Sequence, residues 1–256
     1  MKNPENSPLN TGAKASRILL SEEPLAGKTE CAFAEEGLRG LEAWNARPGE
    51  VLSVIAPSGR VFRARMIGEK GRIEKALCFE DLGMLPALPR LHLFQALPEK
   101  ERFELILEKA VELGADAIHP FVSKKSTSLE ERDLRQKKSH RWPHLLKRAA
   151  RQCRRPEIPE LYPVGDFSSV LEKIALAGLS LVLDEREKKR SFAEGVQHYE
   201  KGDIALIVGP EGGFDRSEIA ILRERGAIPV TLGDRILRTE TAAILAVGLL
   251  RHGNFF

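Results

Sequence analysis

Cysteine is scarce and cannot make a framework. Cys31, Cys78 and Cys153 are an odd number, and none stands in a CxxC or Cys/His ligand spacing. A disulfide scaffold and a structural zinc are therefore excluded, and a reducing cytoplasm with no metal partner is expected. Long hydrophobic runs are missing too. Ala175–Leu183 (broken by Gly178 and Ser180) and Ala242–Leu250 span about nine residues, whereas a membrane-crossing helix needs about 20. No membrane partner is expected. Trp44 and Trp142 are too few to form the stacking platform of a single-strand nucleic-acid binder. Neither GxxxxGK[ST] nor a GxGxxG after a strand occurs, which removes most support for triphosphate hydrolysis and ordinary dinucleotide binding. Residues 1–16 are polar, carry Pro4, Pro8 and Gly12, and read as a loose disordered tail without a signal-peptide core.

What is present describes a globular protein. Of 256 residues, 42% are hydrophobic and 30% charged, enough core for one or two domains. The net charge of +3 hides an uneven distribution. Residues 1–84 are neutral, while the window 124–155 holds twelve basic side chains against three acidic ones. Such a patch is the footprint expected for a polyphosphate partner, with a solvated helix face as the alternative.

Residues 17–82 read as a small β module, with β-like runs at Arg17–Leu20, Val51–Ala56, Val61–Gly68 and Ile73–Phe79 and a Ser58-Gly59 turn. Asp81–Arg90, with Gly83, Pro86 and Pro89, reads as a linker. From 91 to 256 strands and helices alternate. Leu91–Leu97, Ala117–Val122, Leu179–Asp184, Asp203–Val208 and Ile228–Leu232 are the strands. A helix opens at Pro98 and ends at Gly114, and another covers Trp142–Arg154 with His144, Arg148, Arg151 and Arg155 on its polar face. Asp215 and Glu218 form a capping box for a helix ending at Gly226. The last helix, Thr239–Arg251, is apolar nearly all round and predicts broad burial, including against another subunit. This order predicts an α/β class fold with a parallel sheet.

Chemistry concentrates at strand ends. Gly209-Pro-Glu-Gly-Gly213 follows one strand and Leu232–Ala242 (LGDRILRTETA) another. Ligands of open α/β sheets bind beyond the carboxyl ends of strands, and glycine lets backbone approach them closely. Two tight turns with nothing bound remain the alternative. Leu183-Asp184-Glu185 is a third polar strand end that can border the same crevice.

Gly209–Phe214 (GPEGGF) and Leu232–Ala242, together with Glu108–Gly114, Ala150–Pro156 and Ile158-Pro159, resemble the RsmE family. Its members are 16S rRNA (uracil-N3)-methyltransferases of the SPOUT superfamily. The resemblance covers residues 91–256. It implies a SPOUT-type domain with a deep trefoil knot, an S-adenosyl-L-methionine cofactor and a homodimer. It also implies 16S rRNA as partner, within an assembled or assembling small ribosomal subunit. By this resemblance Leu183, Val208, Gly209, Pro210, Glu211 and Gly212 line one side of the cofactor pocket. Leu232, Gly233, Ile236 and Leu237 form the other, and Arg238, Thr239, Glu240, Thr241 and Ala242 complete the pocket floor and start the last helix. Residues 17–82 look like the family's PUA-like β-barrel in divergent form, because Glu35–Trp44 lacks the expected histidine.

Arg238 is the candidate for a catalytic or target-binding role, and Glu240 is a second catalytic candidate or the carboxylate that holds Arg238. Arg17, Lys109, Arg148, Arg151, Gln152 and Arg155 are the candidate nucleic-acid contacts. His92, His119 and His144 are scattered and read as structural. Two other readings remain: a related methyltransferase acting on another nucleotide or on ribose 2′-OH, and an inactive RNA-binding assembly factor.

Overall fold

The computed structural model describes residues 7–10, 12–25, 29–69, 71–126 and 141–256. Residues 1–6 of the expected tail, and Arg132, Arg135, Lys137 and Lys138 of the basic window, lie outside them. The chain divides into two compact units, one of Asn10–Ala87 with Leu146–Pro159 and one of Met1–Leu9, Leu88–Leu145 and Glu160–Phe256.

The first unit holds α1 (Gly12–Ala15), β1 (Thr29–Cys31), α2 (Glu35–Trp44), β2 (Val51–Ile55), β3 (Arg60–Glu69) and β4 (Arg72–Met84). Its antiparallel sheet runs β1-β4-β3-β2. The Ile18–Leu20 segment hydrogen-bonds to edge strand β2 and to the chain that follows β1: Leu20 N donates to Ile55 O at 2.8 Å, and Ala34 N donates to Leu19 O at 2.9 Å. Three local readings change. The loose tail ends before residue 12, because α1 packs Ala13 and Ser16 into the core, where the Ser16 carbonyl accepts from the Trp44 indole at 2.5 Å. The linker starts later than Asp81, because β4 pairs with β3 as far as Met84, with Asp81 bound to Arg60 at 2.6 Å. A register shift and the φ of +83° at Gly83 absorb the irregularity. Finally, Glu35–Trp44 is a helix. A Cβ at Gly37 or Gly40 would stand 2.1 Å from the carbonyl oxygen of Leu19 or Arg17, so these glycines are what let α2 press on that backbone.

The second unit holds β5 (Leu91–Ala96), α3 (Lys100–Leu113), β6 (Ala117–Val122), α4 (Trp142–Gln152), β7 (Glu160–Leu161) and β8 (Gly165–Asp166). It continues with α5 (Phe167–Ile174), β9 (Leu179–Leu183), α6 (Phe192–Val196), β10 (Ile204–Val208), α7 (Arg216–Glu224), β11 (Ile228–Val230) and α8 (Thr239–His252). The last turns of α4 belong to the first unit. The sheet order is β11-β9-β10-β5-β6-β7, with β8 also on β6, and every pair is parallel. The apolar runs therefore form a sheet covered on both faces, as their lack of alternation demands. Phe94, Phe121, Val182, Ile207, Phe214 and Leu222 centre its core. Gly114 caps α3 at φ +103°, as expected. Of α8, Ala243, Ala246, Val247 and Leu250 are buried, while Leu245 stays 40% exposed.

Candidate functional site: a cleft at three strand ends

β11, β9 and β10 are neighbours, so their carboxyl ends bring three loops together. In the first loop Gly213 N donates to Pro210 O at 2.9 Å, closing a turn with Gly213 at φ +63°. The chain then enters α7 through a capping box of Asp215 and Glu218, as expected. Asp215 is a strong cap: hydrogen bonds from the Ser217 hydroxyl and backbone N–H hold its pKa down at about 2. In the second loop Thr231 Oγ1 accepts from Gly233 N at 3.2 Å and donates to Gly233 O at 2.9 Å. That tight loop requires φ +121° at Gly233, which a side chain would strain.

Leu183, Val208, Gly209, Pro210, Glu211, Leu232, Gly233, Ile236, Leu237 and Ala242 all line the resulting cleft. Asp184 and Glu185, the third strand end, also line it. Gly212 does not: a Cβ there would meet the Lys125 side chain at 3.2 Å, and Lys125 Nζ donates to Gly212 O at 2.9 Å. Arg238 and Thr241 are exposed beside the cleft, and neither they nor Glu240 are part of its wall. Thr239 lines it as well, and the lining residues that motif reading passed over are Gly213, Phe214, Val230, Thr231 and Arg235. Gly213 and Phe214 belong to the same glycine motif, and Arg235 to LGDRILRTETA, so only their direction was hidden.

Two polar clamps join the loops. Inside, buried Gln95 donates to Gly209 O at 3.2 Å and Thr239 Oγ1 at 3.1 Å. Its signal in the sequence is a lone amide within LHLFQAL. Outside, Arg102 reaches Glu240 at 3.2 Å and Glu211 at 3.5 Å, and Glu211 accepts from Glu99 N at 2.7 Å. Glu240 is thus held by Arg102 rather than by Arg238. Among the described residues, the Arg235 and Arg238 guanidinium groups have no hydrogen-bond or ion-pair partner.

The other candidate residues lie apart from this cleft. Lys109 bridges Glu112 and Glu108, each at 3.0 Å, and those bonds raise its pKa. In the first unit, Arg17 Nε bonds the buried Glu157 carboxylate at 2.6 Å and Arg155 approaches it at 3.7 Å. Arg151 donates to Trp44 O at 2.5 Å and lies 3.5 Å from Glu50. Arg148 and Gln152 are exposed.

The sheet's amino end carries a larger hollow, about 270 Å³ against about 100 Å³ for the cleft. Its aromatic rings already stack on one another: His119 lies between Phe94 at 4.4 Å and Tyr162 at 4.2 Å, with Lys173 over Tyr162 at 4.8 Å. His92 bridges His119 at 3.0 Å and Asp203 at 3.2 Å. Burial pushes the pKa of both histidines down, His119 well below the ordinary 6.5. This is a neutral internal ladder, and the carboxyl-end cleft is the better ligand site.

The cleft combines apolar walls (Leu183, Val208, Val230, Leu237, Ala242) with the carboxylates of Asp184 and Glu185 and glycine-shaped backbone. That set suits a ligand with a flat heteroaromatic part and a polar, cationic arm. Among the described residues no group of three or more His, Cys, Asp or Glu could hold a metal ion. Nor, among the described residues, is any helix long and apolar enough to cross a membrane.

Comparison with known proteins agrees with that chemistry. A family model described as RNA methyltransferase domain matches residues 86–251. Ribosomal RNA small subunit methyltransferase E of Mycobacterium bovis is 34% identical over 233 residues, covering 88% of this chain and 87% of the relative. The protein of that name from Bacillus subtilis is 33% identical over 64% of this chain and 66% of its own. Among solved structures, ribosomal RNA small subunit methyltransferase E from Neisseria gonorrhoeae, bound to S-adenosyl methionine, aligns with TM-score 0.64 and 27% identity. That alignment covers 91% of this chain and 95% of that one. A putative methyltransferase from Legionella pneumophila in complex with the same cofactor gives 0.63 at 28% identity, covering 93% and 98%.

Proposed function

The chain belongs to the RNA methyltransferase family, and on that footing we propose that it methylates N3 of a uridine in 16S rRNA, using S-adenosylmethionine. The observation that carries this reading is the cleft itself: two glycine-shaped loops meeting at adjacent strand ends, lined by twelve residues of the two motifs. Leu183, Val208, Val230, Leu237 and Ala242 would hold the adenine by apolar contact, and Asp184 and Glu185 would face the cationic and hydroxyl groups. When bound, the cofactor supplies an electrophilic methyl group carried on a sulfonium.

This chain's residues have to hold the uracil in line and favour its N3 anion, since the protonated nitrogen has no free lone pair for the methyl. Arg238, and with it Arg235 on the cleft wall, would stabilise charge on uracil oxygen, with water taking the proton. Glu240, held by Arg102, positions the first turn of α8 in this scheme. Arg148 and Gln152 are the outward candidates for phosphate contact. Arg17, Arg151, Arg155 and Lys109 would offer RNA only the donors left by their carboxylate or carbonyl partners.

The same reading assigns residues 17–82 as a PUA-like barrel, closed by Ile18–Leu20, and residues 91–256 as the SPOUT domain with its trefoil knot. It also places the chain in the cytoplasm as a homodimer on the small subunit. Exposed Leu245 on α8 and Leu105 on α3, 40% and 41% accessible, support an apolar partner face. The deciding experiment maps methylated uridines in 16S rRNA from cells with and without this protein. Loss of one N3-methyl mark is expected, and an unchanged map sinks the assignment.

A further inference from the structure

Gln95 is the fifth residue of β5 and fully buried, in a strand whose Leu91, Leu93, Phe94 and Ala96 are buried too. Its Nε2 faces three acceptors: Ala96 O at 2.8 Å, Gly209 O at 3.2 Å and Thr239 Oγ1 at 3.1 Å. Counting protons fixes the roles. The Thr239 hydroxyl gives its one hydrogen to Gly209 O at 2.6 Å, so its oxygen must accept from Gln95. Turned over, the amide would set its oxygen against two carbonyls. In the orientation that remains, Oε1 is buried with no partner, an unfavourable arrangement that an apolar residue would avoid. What offsets it is the work of Nε2, which ties the first residue of one cleft loop to the first residue of α8.

We propose that Gln95 is a positioning residue for the methyl donor, holding the two loops at their binding separation before the donor arrives. The inference rests on the S-adenosylmethionine reading of the cleft. Gly209 and Thr239 line the cleft and Gln95 does not, so Gln95 acts through them. Loops held in place lose less freedom on binding, and affinity gains accordingly. The Arg102 clamp ties the same loops from a more exposed position, where water screens it.

Calorimetric titration of S-adenosylmethionine into the purified full chain tests this. If the wild-type chain binds none, the cleft reading falls and the clamp with it. Once wild-type binding is established, Gln95→Met, which keeps volume and loses both hydrogens, is expected to bind about tenfold more weakly. Thr239→Val should lose a similar factor and Thr239→Ser should restore it. Gln95→Glu adds a signature that altered packing does not. Burial among carbonyls favours the neutral acid, which can donate to Gly209 at low pH, whereas the carboxylate repels it. Affinity of this variant should fall as pH rises from about 5.5 to about 8.5, beyond any change in the wild type. Binding of both Gln95→Met and Thr239→Val within about twofold of wild type overturns the proposal. So does a Gln95→Glu profile parallel to wild type. Should Gln95→Met fail to fold, the Thr239 pair decides alone.

Discussion

Arg151 and Arg238 carry the same charge and are used in opposite ways. In the first unit Arg151 donates to the Trp44 carbonyl, and Arg17 and Arg155 flank the buried Glu157 carboxylate. Beside the cleft, Arg235 and Arg238 project from a glycine-bearing loop with no partner among the described residues. A paired arginine shapes the chain that holds it. An unpaired one at a ligand cleft is available to charge that arrives with a substrate. Counting basic residues cannot tell the two apart, because their difference lies in carboxylates and carbonyls brought from distant parts of the chain.

The sharpest way to break this contrast is Arg238→Ala. It should cost the methyl-transfer rate about 10²-fold or more, while S-adenosylmethionine affinity and melting temperature stay near wild type. Single-turnover kinetics on 16S rRNA reads it, and an undiminished rate removes Arg238 from the chemistry. Next, Gly233→Val should weaken cofactor binding by about 10- to 100-fold, since φ +121° is barred to a β-branched residue. Gly212→Val should do much less, because its Cβ meets only the flexible Lys125 side chain. Equal losses by calorimetry would mean that the cleft wall is misplaced.

Within the basic stretch, Arg151→Ala should destabilise the chain by about 1–2 kcal/mol through the bond to Trp44, seen in urea denaturation. Arg148→Ala, at an exposed position, should flatten the salt dependence of RNA affinity by about one slope unit. If Arg148→Ala leaves that slope unchanged, the polar face of α4 is only solvated. The smallest effect tests the neutral ladder at the sheet's amino end. His119 has a folded pKa well below its unfolded value near 6.5, through burial first and then Lys173, His92 and Arg90. Its contribution is therefore complete above 6.5 and is lost as pH falls below it. His119→Phe, which keeps the stack, should reduce the stability lost between about pH 7.5 and 5.5. An unchanged pH slope would place the acid sensitivity elsewhere.

Legibility followed how local the cause was. The strands of the parallel sheet were readable because continuous apolar runs signal burial on both faces, and the caps at Gly114 and Asp215 because their geometry is set within a few residues. The α2 helix was not readable: Gly37 and Gly40 are poor helix formers, and their reason is the backbone of Arg17 and Leu19 pressing from outside. Most cleft residues were found because their motifs sit at strand ends. Gln95 was missed because an amide in an apolar strand declares a partner without naming it.

By itself, then, the amino-acid order determined the alternation of strands and helices, the two glycine loops and the total charge, since each depends on neighbours in sequence. Only the tertiary structure decided that β11, β9 and β10 lie side by side, that Gly212 turns to Lys125, and that Arg102 holds Glu240. It also decided that Arg238 is left unpaired among the described residues while Arg17, Arg151 and Arg155 are engaged. A side chain's partner is set by what the fold brings within about 3 Å of it, and those groups come from more than a hundred residues away in the Arg17–Glu157, Arg102–Glu240 and Gln95–Thr239 pairs.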